Sequence, residues 1–427
     1  MRVRTPSATV LVVGAGVFGL SAARALAKRG AAVTLLDTGP VPHPLAASTD
    51  ISKAIRLDYG PDVEYMAWME QALVGWRDWN QRIAKAGGEP PLFHETGQLY
   101  LSRGPLQKGG FEYESYHLMR SRGHQPELLS ASDIRRRFPA WNADRYGHGY
   151  YNPEGGYAES GRVISTLLRW ASAEGVTLRI GEGHRCKRLL ESGTRVCGVV
   201  TMDSSILTAD YVVLAVGAWT RFLVPELALC MRAVGMPVFQ LQPSKDVRAL
   251  FDASRFPCFG ADISGTGYYG FPLHREGVIK IARHSSGRAL HPESPERRVT
   301  EFETASLREF LQQTFADLAD APIVSTRVCL YCDTADQHLW IAHHETRPGL
   351  IVAAGDSGHA FKFAPVLGDL IADTVLEETA RSTSEAEAAL RKTLRQRFRH
   401  RPEQTDLSGA AGREAARHTP HSPERSH

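Results

Sequence analysis

The stretch ATVLVVGAGVFGLSAARALAKRGAAVTLLD (residues 8–37) decides the fold. Its first six residues are a short, β-branched apolar run. GAGVFG follows, then the alanine-rich SAARALAKRG with helical spacing. AAVTLLD (31–37) is a second apolar run, and it ends in an acid. Strand, glycine turn, helix and strand make a βαβ unit. Gly14, Gly16 and Gly19 stand in G-x-G-x-x-G order. Gly14 permits the tight turn, Gly16 lets the backbone approach a pyrophosphate, and Gly19 permits close helix–strand packing. The first N–H groups of the helix, including those of Val17 and Phe18, aim at the phosphates. Asp37 stands at the distance where an acid accepts ribose hydroxyls.

This fingerprint does not separate NAD from FAD. An NAD-dependent dehydrogenase continues as alternating strands and helices through six parallel strands. This chain instead leaves the βαβ unit for a long irregular region and returns to strand-like runs near 177–217 and again near 349. That discontinuous layout favours FAD, a large cofactor clamped by several segments.

The bulk properties are those of an ordinary globular chain. Its 427 residues suggest two to three domains, with 43% hydrophobic and 23% charged residues. A formal net charge of +3 is too mild to argue for nucleic acid. No stretch approaches the roughly 18 uninterrupted apolar residues of a membrane span. Six cysteines scattered along the chain do not make a secreted disulfide framework. The reading is a soluble, cytoplasmic protein.

Outward from the βαβ unit, PDVEYMAWMEQALVGWRDWNQRIAKAG reads as helical, and strand candidates lie around Gln98–Leu101. SGRVISTLLRWASAEG (160–175) reads as an amphipathic helix. VTLRIGEG, RVCGVVTMD and ADYVVLAVGAW read as consecutive strands. From about 220 to 325 the pattern is irregular, with strand signals at GTGYYGFPL and GVIKIARH and a helix over 300–317. GLIVAAGDSGHAFKFAPVLGDLIADTVLEE (349–378) reads as strand, glycine-rich turn and helix. The expected class is α/β with two domains. A Rossmann-like FAD-binding domain takes 1–60, 150–220 and 325–380, and a mixed-sheet substrate domain takes 61–149 and 221–324. Residues 381–427, rich in Arg, Ser, Glu, Pro and His, read as a frayed helix followed by a disordered, solvated tail.

RVCLYCDTADQHLWIA (327–342) carries Cys329 and Cys332 in C-x-x-C spacing. A thioredoxin-like redox pair needs a helix N-terminus to lower the first thiol's pKa, whereas this pair sits in a strand-like run. A structural zinc site needs four ligands, and no second C-x-x-C exists, although His338, His343 and His344 are near. No metal site is expected. Two structural cysteines remain open as a reading.

Five further stretches occur in order: KAIRLDYG (53–60), YYGFP (268–272), GVIKIARH (277–284), CLYCDTAD (329–336) and GDSGHAFKFAP (355–365). With the fingerprint, they resemble the FAD-dependent amine oxidases related to monomeric sarcosine oxidase and, within them, the fructosyl amino acid oxidases or amadoriases. The resemblance spans about residues 8–378. It implies a flavin joined through a thioether to Cys329, with Cys332 a neighbour. It implies further flavin contacts from Ser48, Lys53, Gly217, Trp219, Gly355, Gly358 and Lys362.

On the same resemblance, Arg56 and Lys362 clamp a substrate carboxylate, Lys280 activates O2, His284 lies near the substrate, and Tyr269 and Tyr331 wall the site. The chemistry is coherent. Arginine presents a planar fork to a carboxylate, and a fixed lysine charge stabilises superoxide. Sarcosine oxidases carry arginine where this chain has Lys53, and GHAF replaces GHGF. Lys53 and CLYCDTAD point to the amadoriase branch and a bulkier secondary amine. The implied partners are a small amine and O2, and the implied state is a monomer. Three other readings stay open: an oxidase of a specialised amine or cyclic imino acid (saccharopine- or pipecolate-like), a flavin dehydrogenase using another acceptor, and a non-catalytic nucleotide-binding scaffold.

Overall fold

Val10, Val12, Val33 and Leu35 are almost fully buried, so the first two strands, Thr9–Val13 and Ala32–Asp37, are covered on their core face and pair in parallel. The helix Val17–Lys28 crosses between them. In this computed structural model, which describes residues 8–284, 287–377 and 384–405, they lie inside a six-stranded sheet. Its order is Trp340–His343, Leu350–Ala354, Tyr211–Leu214, Thr9–Val13, Ala32–Asp37, Thr177–Ile180. All neighbours are parallel except the antiparallel edge strand Trp340–His343. A three-stranded antiparallel sheet (Cys186–Ser192, Arg195–Thr201, Ile206–Thr208) stands beside it.

The second layer is a nine-stranded sheet built on one long pair. Met231–Leu241 runs antiparallel to Ile323–Thr334 along its full length and also pairs with Ile279–Arg283. Arg288–Ala289 also pairs with Met231–Leu241, and Tyr268–Gly270, Cys258–Ala261, Gln98–Ser102, His148–Asn152 and Glu127–Ser130 extend the sheet. Trp141, Phe256, Phe259 and Phe315 fill the core beneath it in edge-to-face contacts. A small sheet of Lys53–Ile55, Gly156–Ala158 and Phe93–His94 lies between the layers in sequence.

Four findings differ from the sequence reading. The strand Met231–Leu241 lies inside the region read as irregular. It is buried almost throughout and contains Gly235 and Pro237, so it lacks the period of two that marks a half-exposed strand. The strand Ile323–Thr334, grouped by sequence with the flavin domain, belongs to the nine-stranded sheet. The helix Val63–Gly87, grouped with the substrate domain, buries Trp68 and Trp76 in the core shared with Val17–Lys28 and Ala364–Val375.

The helix expected at the start of 381–427 is present but packed rather than frayed, and Phe398, His400 and Arg401 after it are buried rather than part of a solvated tail. A helix at Glu385–Arg397, capped by the Ser384 hydroxyl accepting from the Glu387 amide, inserts Leu394 and Phe398 fully into that same core. These two apolar side chains and the ion pairs Arg391–Asp373 and Arg401–Asp336 anchor it. Residues 406–427 lie outside the described region.

The opening turn is held by contact as much as by conformation. Gly14 has φ +104°, and a Cβ on Gly19 would fall 1.8 Å from the Gly14 carbonyl oxygen. That neighbour is backbone and cannot swing away. Gly19→Ala is therefore expected to destabilise the protein by about 1–3 kcal/mol, seen as a lower midpoint in urea unfolding of the apoprotein. An unchanged midpoint would show that the turn relaxes freely.

Candidate active site

A cavity of about 770 Å³ runs from the glycine turn to the strand Ile323–Thr334. Gly14, Gly16, Val17 and Phe18 form one end with Asp37 and Ser48, and Gly217, Trp219, Cys329, Tyr331 and Gly358 lie further along it. The Asp37 carboxylate accepts from the Ala15 and Gly39 amides, each at 2.7 Å. Each oxygen keeps a second acceptor direction for a ligand hydroxyl. The Ser48 hydroxyl accepts from the Val17 amide at 3.0 Å, closing over the start of the helix. Of the sequence-expected cofactor contacts, Gly19, Gly355 and Lys362 do not line this cavity. Gly19 is spent on helix packing, and a Cβ on Gly355 would meet Thr334 and Trp340.

A second, narrower cavity of about 80 Å³ adjoins it. Lys53, Tyr331, Gly358 and Phe361 line both. The smaller one gathers Arg56, Tyr269, His284 and Lys362 from four separate parts of the chain. Lys362 donates to the Tyr59 hydroxyl at 3.0 Å and lies 4.7 Å from that ring's centroid. Arg56 stacks 5.4 Å from the same ring and donates to the Asp58 carbonyl. Tyr59 thus stands between the two cations. It lies inside the motif KAIRLDYG but carried no role in the sequence reading.

The question of Cys329 and Cys332 is settled by strand geometry. Residues three apart on a strand face opposite sides. Cys329 lines the large cavity, with its sulfur 3.6 Å from the Lys53 ammonium. Cys332 points the other way, into an apolar cluster with Met231, Leu214 and Trp340. Burial pushes the Cys332 thiol well above its ordinary range, with Asp356 adding to the rise. The two sulfurs cannot share a metal ion or form a redox pair.

Lys280 differs most from expectation. It is 1% exposed and lines neither cavity. Its ammonium sits 2.7 Å from Asp50 Oδ2, donates to the Ser52 carbonyl and lies 4.7 Å from the Phe271 ring centroid. The same Asp50 carboxylate is 3.8 Å from Lys53. Burial pulls Lys280 down to about 8 against the opposing pull of Asp50. Burial works against the charge on Lys53 as well, but the Cys329 sulfur, Asp50 and Tyr269 hold it above its ordinary value. Burial would raise Asp50, yet Lys280, Lys53 and Arg327 bring it well below the usual carboxylate range. Asp50 is thus the buried counter-ion of two lysines, a role with no local sequence signal.

Truncating one partner of a buried pair leaves the other charge uncompensated. Lys280→Met is expected to cost about 3–5 kcal/mol in urea unfolding. Combining it with Asp50→Asn should recover much of that loss, and a double variant as unstable as the single one would refute the pairing.

The arrangement is a dinucleotide-sized cavity joined to a small cationic one, in a scaffold built on a mainly parallel six-stranded sheet and a mixed nine-stranded one. The family model described as FAD dependent oxidoreductase matches residues 9–374. Monomeric sarcosine oxidase from Bacillus sp. (strain B-0618) is 26% identical over 377 residues, covering 86% of this chain and 92% of its own. L-saccharopine oxidase from Schizosaccharomyces pombe is 28% identical over 421 residues, covering 89% and 92%. Among solved structures, the fructosamine oxidase Amadoriase II from Aspergillus fumigatus superposes with a TM-score of 0.79 at 23% identity, covering 97% of this chain and 94% of its own. The glycine turn, the cavity that leads from it and the match along most of the sequence agree: this chain belongs to the FAD-dependent oxidoreductase family.

Proposed function

We propose that the protein oxidises a secondary amine borne on an amino acid to an imine, with O2 reduced to H2O2. The observation that carries this reading is the shared wall. Lys53, Tyr331, Gly358 and Phe361 separate a dinucleotide-sized cavity from a small one that holds Arg56 and Lys362. A reacting carbon held by its carboxylate in the second would lie against whatever occupies the first. The relatives named sarcosine, saccharopine and N-methyl-L-tryptophan oxidase fit this substrate class.

The residues lining the larger cavity suit FAD: a glycine turn opening a helix, an acid at the second strand's end, and Cys329 at the far end as the proposed point of covalent attachment. FAD, when bound, accepts the hydride equivalent from the carbon beside nitrogen and delivers the electrons to O2. The chain's own residues orient and tune. Arg56 and Lys362 take the carboxylate, Arg56 by a planar fork. The surrounding positive charge disfavours an ammonium and so favours the free amine that reacts. Tyr269 and Tyr331 exclude water, and His284 borders the substrate. Lys280 and Lys53 together carry two charges against the single carboxylate of Asp50. The surplus positive charge is available to the anion formed as O2 is reduced. We read the protein as a cytoplasmic monomer, where its unpaired cysteines stay reduced.

The purified protein is expected to be yellow, and the colour should stay with an acid-precipitated pellet. Cys329→Ala should release it to the supernatant. Colour lost from the wild-type pellet would remove Cys329 from this role. A panel of N-methyl, N-fructosyl and saccharopine-like amino acids, scored by H2O2 and oxygen uptake, tests the reaction. Reduction by an amine with no oxygen uptake would favour the dehydrogenase reading.

Lys280, lowered to about 8 by burial, must be protonated to present its charge. The rate of oxidation by O2 in a stopped-flow experiment is therefore expected to fall as pH rises through about 8. The same series in Lys280→Met should be slow at every pH. A wild-type rate that is flat from pH 7 to roughly 9.5 would remove Lys280 from this step.

A further inference from the structure

Lys362 is held by a directional chain of hydrogen bonds that ends at the Gln337 carbonyl, in a turn gripped by the segment 384–405. The Gln337 carbonyl can only accept, so His359 must donate to it from Nε2, at 2.9 Å. In a neutral ring, Nδ1 is then an acceptor, and the Tyr59 hydroxyl at 3.2 Å donates to it. The Tyr59 oxygen is left to accept from Lys362 at 3.0 Å. With the ring neutral, the Gln337 carbonyl thus sets the direction of the whole chain.

Gln337 sits at φ +60° within the turn that follows the strand Ile323–Thr334. Arg401, only 2% exposed, grips that turn from outside. Its guanidinium donates to both Asp336 carboxylate oxygens at 2.6 and 2.8 Å, and to the His338 and Leu339 carbonyls at 2.9 and 3.1 Å. Asp336 in turn accepts from the Thr334 hydroxyl and the His338 amide, both at 3.1 Å. A second route runs through rings. Phe398 packs 5.8 Å from Tyr65, Arg397 lies 4.9 Å over Tyr65, and Tyr65 stacks on Tyr59 at 4.8 Å.

We infer that the segment 384–405 is part of the carboxylate clamp, with Arg401 and Phe398 acting as positioning residues that set Lys362 through Gln337, His359 and Tyr59. The inference rests on the reading of Lys362 as a carboxylate ligand.

The probes are propionate and its uncharged counterpart propionamide, titrated into the flavin-loaded protein and followed by the visible absorbance change and by calorimetry. Arg401→Met is expected to weaken propionate about tenfold, to leave propionamide within twofold, and to leave flavin content unchanged. In steady state it should raise KM for an N-methyl amino acid more than it lowers kcat. In a Lys362→Met background, the Arg401 substitution should add nothing to the loss, because both act through one ammonium. Arg401→Lys, with one cation against four acceptors, should recover only part of the affinity. If Arg401→Met does not fold, Arg401→Lys carries the test, with about a threefold loss expected.

Propionate affinity unchanged in both Arg401 variants, or losses that simply add in the Lys362→Met background, would overturn the inference while leaving the carboxylate reading intact. A Lys362→Met protein that binds propionate as well as wild type would defeat the carboxylate reading itself, and the inference with it.

Discussion

One buried carboxylate stands between the buried Lys280 and Lys53 at the cavity wall, and the site is arranged around it. Removing a charge from water costs several kcal/mol unless a partner is at hand. Asp50 supplies that partner to Lys280 at 2.7 Å and, more loosely, to Lys53 at 3.8 Å. Its own position is fixed from behind, where its carbonyl accepts from the Ser160 hydroxyl and the Gly161 amide at the head of the helix Ser160–Ala173. The parallel-sheet layer therefore anchors the ion cluster, while the nine-stranded sheet supplies Lys280. Neither layer could keep these charges buried alone.

The two strands of the long central pair divide labour by alternation. On Ile323–Thr334, Cys329 and Tyr331 line the cavities, while Val328 and Cys332 face apolar clusters. A one-residue slip would exchange the faces. Pairing with Met231–Leu241 over almost the whole length of both strands fixes the register, so the same contacts that stabilise the sheet also aim the cysteine.

What could be read from the sequence was local. The glycine turn, its helix and Asp37 announce themselves because each residue type answers a nearby backbone demand. Arg56, Tyr269, His284 and Lys362 were found through motifs, and the fold brings them to one small cavity. The odd spacing of Cys329 and Cys332 on a strand already held the answer to their relationship, though the reading stopped at their being neighbours. Asp50 was illegible because its importance comes from a lysine 230 positions later (280 − 50). Tyr59 gave no local signal, because Lys362, one of the two cations that flank its ring, lies 303 positions away in sequence. In the segment 384–405 the helix was legible but its docking was not: charges dominate the average composition, while Leu394 and Phe398 are buried and Arg391 and Arg401 are buried against acids outside it.

The strand order of the parallel sheet carries a consequence for how the protein is made. Thr9–Val13 sits centrally, between Ala32–Asp37 and Tyr211–Leu214, and Leu350–Ala354 lies beyond the latter. During synthesis the nucleotide turn leaves the ribosome before the other strands of its sheet, and one flank of its supporting strand stays open until residues 211–214 arrive. Cys329 follows later still, and non-local parallel pairing is intrinsically slow. Cofactor capture is thus a late event in the life of the nascent chain, and for most of translation the exposed edge of Thr9–Val13 is a segment for chaperones to guard.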